Sequence, residues 1–255
     1  MVVLALLAGP LTVVRGQEGI DYYQLLLLDR AAFRAPPLAL LPLDEAAPGA
    51  QQIVYGDRYG IVRVIEFDQR GLREIWRSRV LEGGAVLEVL VEDLEGDGPV
   101  EIIVRTQGGR LYVFDDRYNP KWESLPEDYQ QVTAMVIANM DDDLAFELVV
   151  LSGTGLIDYI DGRQFNQEFR TTQSYRGTDM AVGNVDNDFD LEIVLNTGWV
   201  IDSRRGEPDW QTESFGQFVE LIDIDADGLQ EVIGHTPNQP MRIFDVDQQQ
   251  EKPLQ

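Results

Sequence analysis

The chain has no cysteine, one histidine and only two lysines in 255 residues. Without thiols there are no disulfides, thiolate zinc sites, iron–sulfur clusters or cysteine nucleophiles. Such a chain suits oxidising and reducing surroundings alike. A single histidine cannot build a histidine-rich metal site, and His235, after the run Glu231–Gly234, reads as a turn or strand-end residue. Bases are scarce altogether: 20 Lys and Arg stand against 45 Asp and Glu, a formal net charge of −25. That balance excludes a nucleic-acid partner, because nothing neutralises a row of phosphates. It also disfavours an anionic membrane surface. No apolar run approaches the roughly 18 residues of a membrane span. Met1–Val14 is apolar, but no basic residue precedes it and no small-x-small cleavage site follows, so it reads as strand sequence in preference to a targeting segment. Helical patterning is missing too, since no stretch carries a capped 3.6-residue apolar stripe.

What is present is a hydrophobic fraction of 44%, enough for a sizeable core, and a repeat. Four segments share an apolar run, an acidic loop and an acid that opens a β-branched run. They are Val89–Val104, Met135–Val150, Met180–Leu195 and Val219–Gly234. Their anchoring glutamates, Glu101, Glu147, Glu192 and Glu231, are 46, 45 and 39 residues apart. Strand, Gly- or Pro-bearing turn and strand follow each, and in all but the last a segment bearing an aromatic. Counting a weaker upstream copy, these aromatics are Trp76, Trp122, Phe169 and Trp210, which read as outer-strand packing residues rather than a sugar platform.

Four short strands per 40–50 residues is the period of a propeller blade. The fold class expected is all-β, a β-propeller of about six four-stranded blades, six- or seven-bladed. One domain spans 1–247, with repeats at 1–36, 37–81, 82–127, 128–173, 174–213 and 214–247, and 248–255 as a polar tail. The last copy reads as stopping after its third strand near Asp245, leaving an N-terminal segment to complete the final blade and avoid an open edge.

The acidic loops place oxygen-bearing side chains at positions one, three, five and nine. Loop one has Asp93, Glu95, Asp97 and Glu101; loop two has Asn139, Asp141, Asp143 and Glu147. Loop three has Asn184, Asp186, Asp188 and Glu192; loop four has Asp223, Asp225, Asp227 and Glu231. A loop folded round a point brings positions one, three and five inside, and the main-chain carbonyl of position seven (Pro99, Ala145, Asp190 or Leu229) joins them. A cage of hard oxygens suits Ca²⁺ better than zinc or copper, and better than Mg²⁺, which keeps its waters. An EF-hand is excluded, because position twelve lies inside a strand and no helices flank the loop. Up to four Ca²⁺ are expected, with the best sites at 93–101 and 223–231. There Gly98 and Gly228 fill the turn position; Leu144 and Phe189 replace them in loops two and three, which is expected to strain or reshape those turns. The upstream copy (Asp44, Ala46, Pro48, Gln52) has lost most of its ligands and is expected to bind nothing.

The pattern D-x-D-x-D-G-x-x-[DE] between two strands, once per blade, resembles the FG-GAP/VCBS repeat family, the propeller type at the N-terminus of integrin α chains. The resemblance is good over Val89–Asp245 and weak over Leu11–Glu88. It implies a calcium-stabilised propeller on exported or cell-surface proteins, contacting a protein or glycan partner through its blade loops.

No catalytic constellation stands out. Ser152 and Thr154 fall in a turn segment, and paired acids are explained by the loops. The expected function is a non-catalytic protein- or glycan-interaction module. The alternatives are a polysaccharide-active enzyme, which needs a partly buried acid or arginine set on the ring axis, and a structural subunit of a larger assembly. Tyr22, Tyr23, Tyr55, Tyr59 and Tyr175 are candidates for a binding face. The basic islands Arg77–Arg79 and Ser203–Gly206 are expected to pair with neighbouring acids.

Overall fold

The computed structural model describes residues 38–41, 51–68, 71–141, 143–188 and 190–252. These form twenty strands and no helix, arranged as five four-stranded antiparallel sheets. Sheet one holds β1 (Leu38–Leu41), β2 (Gln51–Gly56), β3 (Val62–Asp68) and β4 (Gly71–Arg77). Sheet two holds β5 (Val86–Glu92), β6 (Glu101–Thr106), β7 (Leu111–Phe114) and β8 (Pro120–Glu123). Sheet three holds β9 (Val132–Ala138), β10 (Glu147–Ser152), β11 (Ile157–Asp161) and β12 (Gln167–Arg170). Sheet four holds β13 (Met180–Gly183), β14 (Glu192–Leu195), β15 (Trp199–Asp202) and β16 (Pro208–Gln211). Sheet five holds β17 (Phe218–Ile222), β18 (Glu231–His235), β19 (Arg242–Asp245) and β20 (Gln250–Lys252). In every sheet the strands pair in chain order, the meander of a propeller blade.

The second strands explain why the sheets stack. Side chains alternate between faces along a strand. On β6, Ile102 and Val104 enter a core shared with Val54, Val62 and Val64 of sheet one, while Ile103 enters a core shared with Leu148 and Val150 of sheet three. On β10, Val149 and Leu151 turn the other way, towards Ile193 and Leu195 of sheet four. Val194 then faces Val219 and Val232 of sheet five. Both faces of these strands are buried, so they read as unbroken apolar runs. The first strands of successive sheets also approach one another, β1 to β5, β9 to β13 and β13 to β17.

The aromatic positions serve packing as expected. Trp76 lies 5.3 Å from Phe114 and 5.2 Å from Tyr118 of sheet two, and Trp122 stacks on Phe165 of sheet three at 5.4 Å. Trp210 lies 6.0 Å from Phe215, between sheets four and five. Just before each aromatic, the pairing of third and fourth strands slips by one residue. Val64 pairs with Trp76 but Ile65 with Glu74; Val113 pairs with Trp122 but Phe114 with Pro120. Tyr159 pairs with Phe169 but Ile160 with Gln167; Val200 pairs with Trp210 but Ile201 with Pro208. The residues skipped by this β-bulge are Ile75, Lys121, Glu168 and Asp209. A bulge re-aims the side chain it leaves unpaired.

Two sequence expectations change. The final repeat does not stop after its third strand: Gln250–Lys252, read as tail, pairs with β19 as a fourth strand. Its alternation is weak because the strand is three residues long and half exposed. Tyr55 and Tyr175 are buried in the core, not on a binding face, whereas Tyr59 is exposed. The expected first repeat, 1–36, with Tyr22 and Tyr23, lies outside the described residues, so five sheets stand against the six expected.

Replacing Ile103 by Ala, at the junction of sheets two and three, is expected to cost about 2–5 kcal/mol in chemical denaturation. Leu125→Ala, at an exposed position, is expected to stay within about 0.5 kcal/mol.

Candidate functional site

All four acidic loops join the first strand of a sheet to its second, as the sequence implies. The ninth-position glutamate heads the second strand and is buried in each: Glu101 2%, Glu147 1%, Glu192 0% and Glu231 3% exposed. One oxygen, Oε2, reaches back to accept the main-chain N–H of loop position two. The donors are Leu94 (3.0 Å), Met140 (2.5 Å), Val185 (3.0 Å) and Ile224 (2.9 Å). The glutamate thereby closes the loop on itself.

The other oxygen separates the loops into two pairs. In loop one, Glu101 Oε1 accepts from Lys121 Nζ at 2.9 Å, and the same ammonium meets Glu95 at 2.6 Å. In loop four, Glu231 Oε1 accepts from Lys252 Nζ at 2.6 Å, and that ammonium also meets Asp225 at 3.0 Å and Asp245 at 3.2 Å. In loops two and three, Oε1 of Glu147 and Oε1 of Glu192 are buried with no hydrogen-bond partner, as is Oδ1 of Asn184. Instead of a lysine, an acid approaches from the fourth strand. Oxygens of Asp141, Glu147 and Glu168 lie within 4.8 Å of one another, and so do oxygens of Asp186, Glu192 and Asp209.

The remaining expected ligands divide accordingly. Asp223, Asp225 and Glu231 converge within 4.8 Å, as do Asp188, Asp190 and Asp202. Asp93 instead accepts the N–H groups of Asp97 (3.0 Å) and Gly98 (2.7 Å), and Asp227 accepts that of Leu229 (2.9 Å). Asn139 donates to the Asp143 carbonyl at 3.0 Å, and Asp143 accepts the Ala145 N–H at 2.6 Å. These four side chains close turns rather than joining a carboxylate cluster. At position seven Ala145 is buried and Pro99 exposed.

The expected reshaping of loop two is present. Gly98 and Gly228 adopt φ of +106° and +96°, but Leu144 is not among the residues with positive φ. Loop two is built instead from successive Asx turns, Asp141 accepting from Asp143 at 2.8 Å and Asp143 from Ala145. Loop three repeats this with Asp186, Asp188 and Asp190, while its Phe189 lies outside the described residues.

Electrostatics follow the same division. Burial pushes the Glu147 carboxyl up to about 7, and Asp141, Glu168 and Asp143 push the same way. Burial, with Asp186, Asp188 and Asp209, pushes Glu192 up to about 8. Burial also raises Glu101, but Lys121 works against it. Burial disfavours the Lys121 charge, yet its bonds to Glu95 and Glu101 raise its pKa overall. The bond to Glu231 raises that of Lys252. Tested against a hard divalent cation, the donor sets of loops two and three fit: each is all oxygen, clustered, and holds a buried carboxylate oxygen with nothing to bind. A hollow of about 330 Å³ lined by Asp186, Asp188, Asp209, Trp210 and Asp247 opens onto loop three. Loops one and four do not fit in the same way, since an ammonium already stands at the corresponding oxygen.

Sequence reasoning missed Lys121, Glu168, Asp209 and Lys252. A signal existed for three of them, each immediately preceding the recurring aromatic. The basic islands pair as expected: Arg79 with Glu123 at 2.7 Å, Arg204 with Asp190 at 2.6 Å, and Arg205 with Asp202 at 2.7 Å and Asp209 at 2.9 Å. Away from the loops, Arg105 donates to Glu88 at 2.7 Å and to the Val132 carbonyl at 2.8 Å, while Asp179 accepts the Val219 N–H at 2.8 Å. These groups brace the first strands of sheets two, three and five. His235 ends β18 with its ring 6.2 Å from that of Phe218.

No protein-family model matches the chain, and no curated protein matches its sequence. Solved structures do. The WD40 domain of Neurospora crassa Pan2 aligns at 16% identity with a TM-score of 0.57, covering 87% of this chain and 66% of that one. BBS1N, solved in complex with ARL6DN, aligns at 16% identity with a TM-score of 0.60, covering 88% and 70%. The likeness is one of fold and supports a propeller-like architecture. Among the described residues, no helix is long and apolar enough to cross a membrane.

In the metal-free chain, Glu147 and Glu192 hold protons in the folded state that the unfolded chain releases near pH 4.5. Between about pH 4.5 and 8 the folded form therefore binds more protons, and stability falls as pH rises. In chelator, melting is expected at a lower temperature at pH 8.5 than at pH 5.5, and Glu192→Gln is expected to flatten that dependence.

Proposed function

We propose that this chain is a non-catalytic β-propeller interaction module whose blades are stiffened by Ca²⁺ in its acidic loops. The fold supports the first part. Successive sheets bury their faces on one another and leave edges and loops to contact a partner, and the similar BBS1N was solved with a protein, ARL6DN, bound. A protein partner is the first expectation and a glycan the second.

The observation that carries the calcium reading is the pair of buried, unpartnered glutamate oxygens, each on a glutamate clustered with two further carboxylates. A buried charge without a partner is costly, and a hard cation removes that cost. The resemblance of the loops to FG-GAP/VCBS repeats supports the same ion. Because several of these carboxylates are exposed, such sites suit millimolar calcium, which favours an exported location. The enzyme alternative needs an acid–arginine set near the first strands. Glu88, Arg105 and Asp179 have that composition, but Arg105 is engaged by Glu88 and the Val132 carbonyl and Asp179 by the Val219 N–H, so no observation favours catalysis.

Chelation is expected to lower the melting temperature and added calcium to restore it, by about 2.7 kcal/mol per site at a hundredfold excess over Kd. Identical calorimetric melting of stripped and loaded samples would remove calcium from this reading. A pull-down and a glycan array then distinguish the two partner classes.

A further inference from the structure

We infer that the four loops divide between two kinds of cation: loops two and three hold metal completed by Glu168 and Asp209, whereas Lys121 and Lys252 stand in the metal's place in loops one and four. This deepens the calcium reading and rests on it.

The division turns on one atom. Oε1 of the ninth-position glutamate is buried in all four loops and points away from the amide that its twin accepts. In loops one and four it is met by an ammonium, at 2.9 and 2.6 Å. In loops two and three it has no partner. The chain contains two lysines in all, and both are spent on this atom. An ammonium is a compact positive charge with three donors, so it can serve several carboxylate oxygens at once, as a small cation does. Lys252 serves three carboxylates within 3.2 Å and Lys121 two within 2.9 Å.

The fourth strand decides which cation is used. Lys121, Glu168 and Asp209 are the equivalent bulge residues of sheets two, three and four. Where that residue is lysine, the cage is neutralised from within the chain. Where it is an acid, the cage gains another hard oxygen within 4.8 Å of the buried glutamate. Adding like charge to an unpartnered buried carboxylate is unfavourable unless a cation of higher charge is held there. Asp209 also pairs with Arg205, but that side chain is more than half exposed and leaves Glu192 Oε1 unmet. The acids that the sequence does not single out, Glu168 and Asp209, therefore become ligands, and the two loops with the better sequence pattern do not need metal.

The test counts calcium on the full chain after stripping with EDTA, by titration calorimetry and by elemental analysis after gel filtration. Wild type is expected to hold two ions per chain, and Glu168→Gln or Asp209→Asn one. Lys121→Glu, which gives loop one the acid that loop two has, is expected to gain a third. Should that variant fail to fold in EDTA, calcium is expected to restore its far-ultraviolet circular dichroism but not that of an equally impaired Lys121→Gln. Four ions on wild type, or no third ion on folded Lys121→Glu, overturns the division while leaving calcium binding in place. No ion on wild type overturns the calcium reading itself, and the division with it.

Discussion

A buried carboxylate at the head of the second strand, in four of the five described sheets, governs the rim of this protein. It is placed there by packing: the residues that follow it, such as Ile102 and Ile103 or Leu148 and Val149, are fully buried on both faces, and they draw the glutamate inward. One of its oxygens is used to close the loop behind it. The second must be compensated, by a positive charge or by a proton, because desolvating a charge without compensation costs several kcal/mol. The fourth strand answers that second oxygen: a lysine meets it in sheets two and five, and an acid gathers beside the glutamate in sheets three and four.

The loops also bear on neighbouring blades. Phe146 of loop two donates its N–H to the Leu94 carbonyl of loop one at 2.8 Å, and Gln230 of loop four donates to the Asn184 carbonyl of loop three at 2.9 Å. Gly96 is required at the first of these junctions: a Cβ there would lie 2.1 Å from the Leu144 carbonyl oxygen. A loop held shut by its ninth-position glutamate thus presents fixed donors and acceptors to the next blade. Local charge compensation becomes register between sheets, in a chain whose net charge otherwise favours expansion.

What the sequence disclosed was whatever is local. Strand, loop and strand recur at a fixed distance from Glu101, Glu147, Glu192 and Glu231, so the four-stranded units and the loop positions could be read directly. The recurring aromatics identified the fourth strand. The expected first repeat, 1–36, lies outside the described residues. The ranking of the loops was obscured for a physical reason: it weighed glycines and formal charge inside nine residues, whereas the deciding side chain lies about twenty residues further on. Only the pairing slip beside Trp122, Phe169 and Trp210 brings that residue back to the loop. The final strand was obscured because Gln250–Lys252 has neither length nor apolar alternation, and its lysine is what fastens it to Glu231.

Sheet one supplies the comparison that makes the compensation legible. Its equivalent of the glutamate is Gln52, a neutral amide. Gln52 donates to Glu66 at 2.9 Å and accepts from the Tyr118 hydroxyl at 3.1 Å, so it is satisfied with no cation. The bulge residue opposite is then Ile75, which packs into the core shared with sheet two. One position on the fourth strand thus carries three chemistries: apolar beside a neutral amide, basic beside a glutamate met by lysine, and acidic beside a glutamate with an unmet oxygen. If the acids of sheets three and four merely dressed the surface, nothing would require them to stand beside the two glutamates whose second oxygen is buried and unbonded. Their placement is understandable when a further positive charge completes each group.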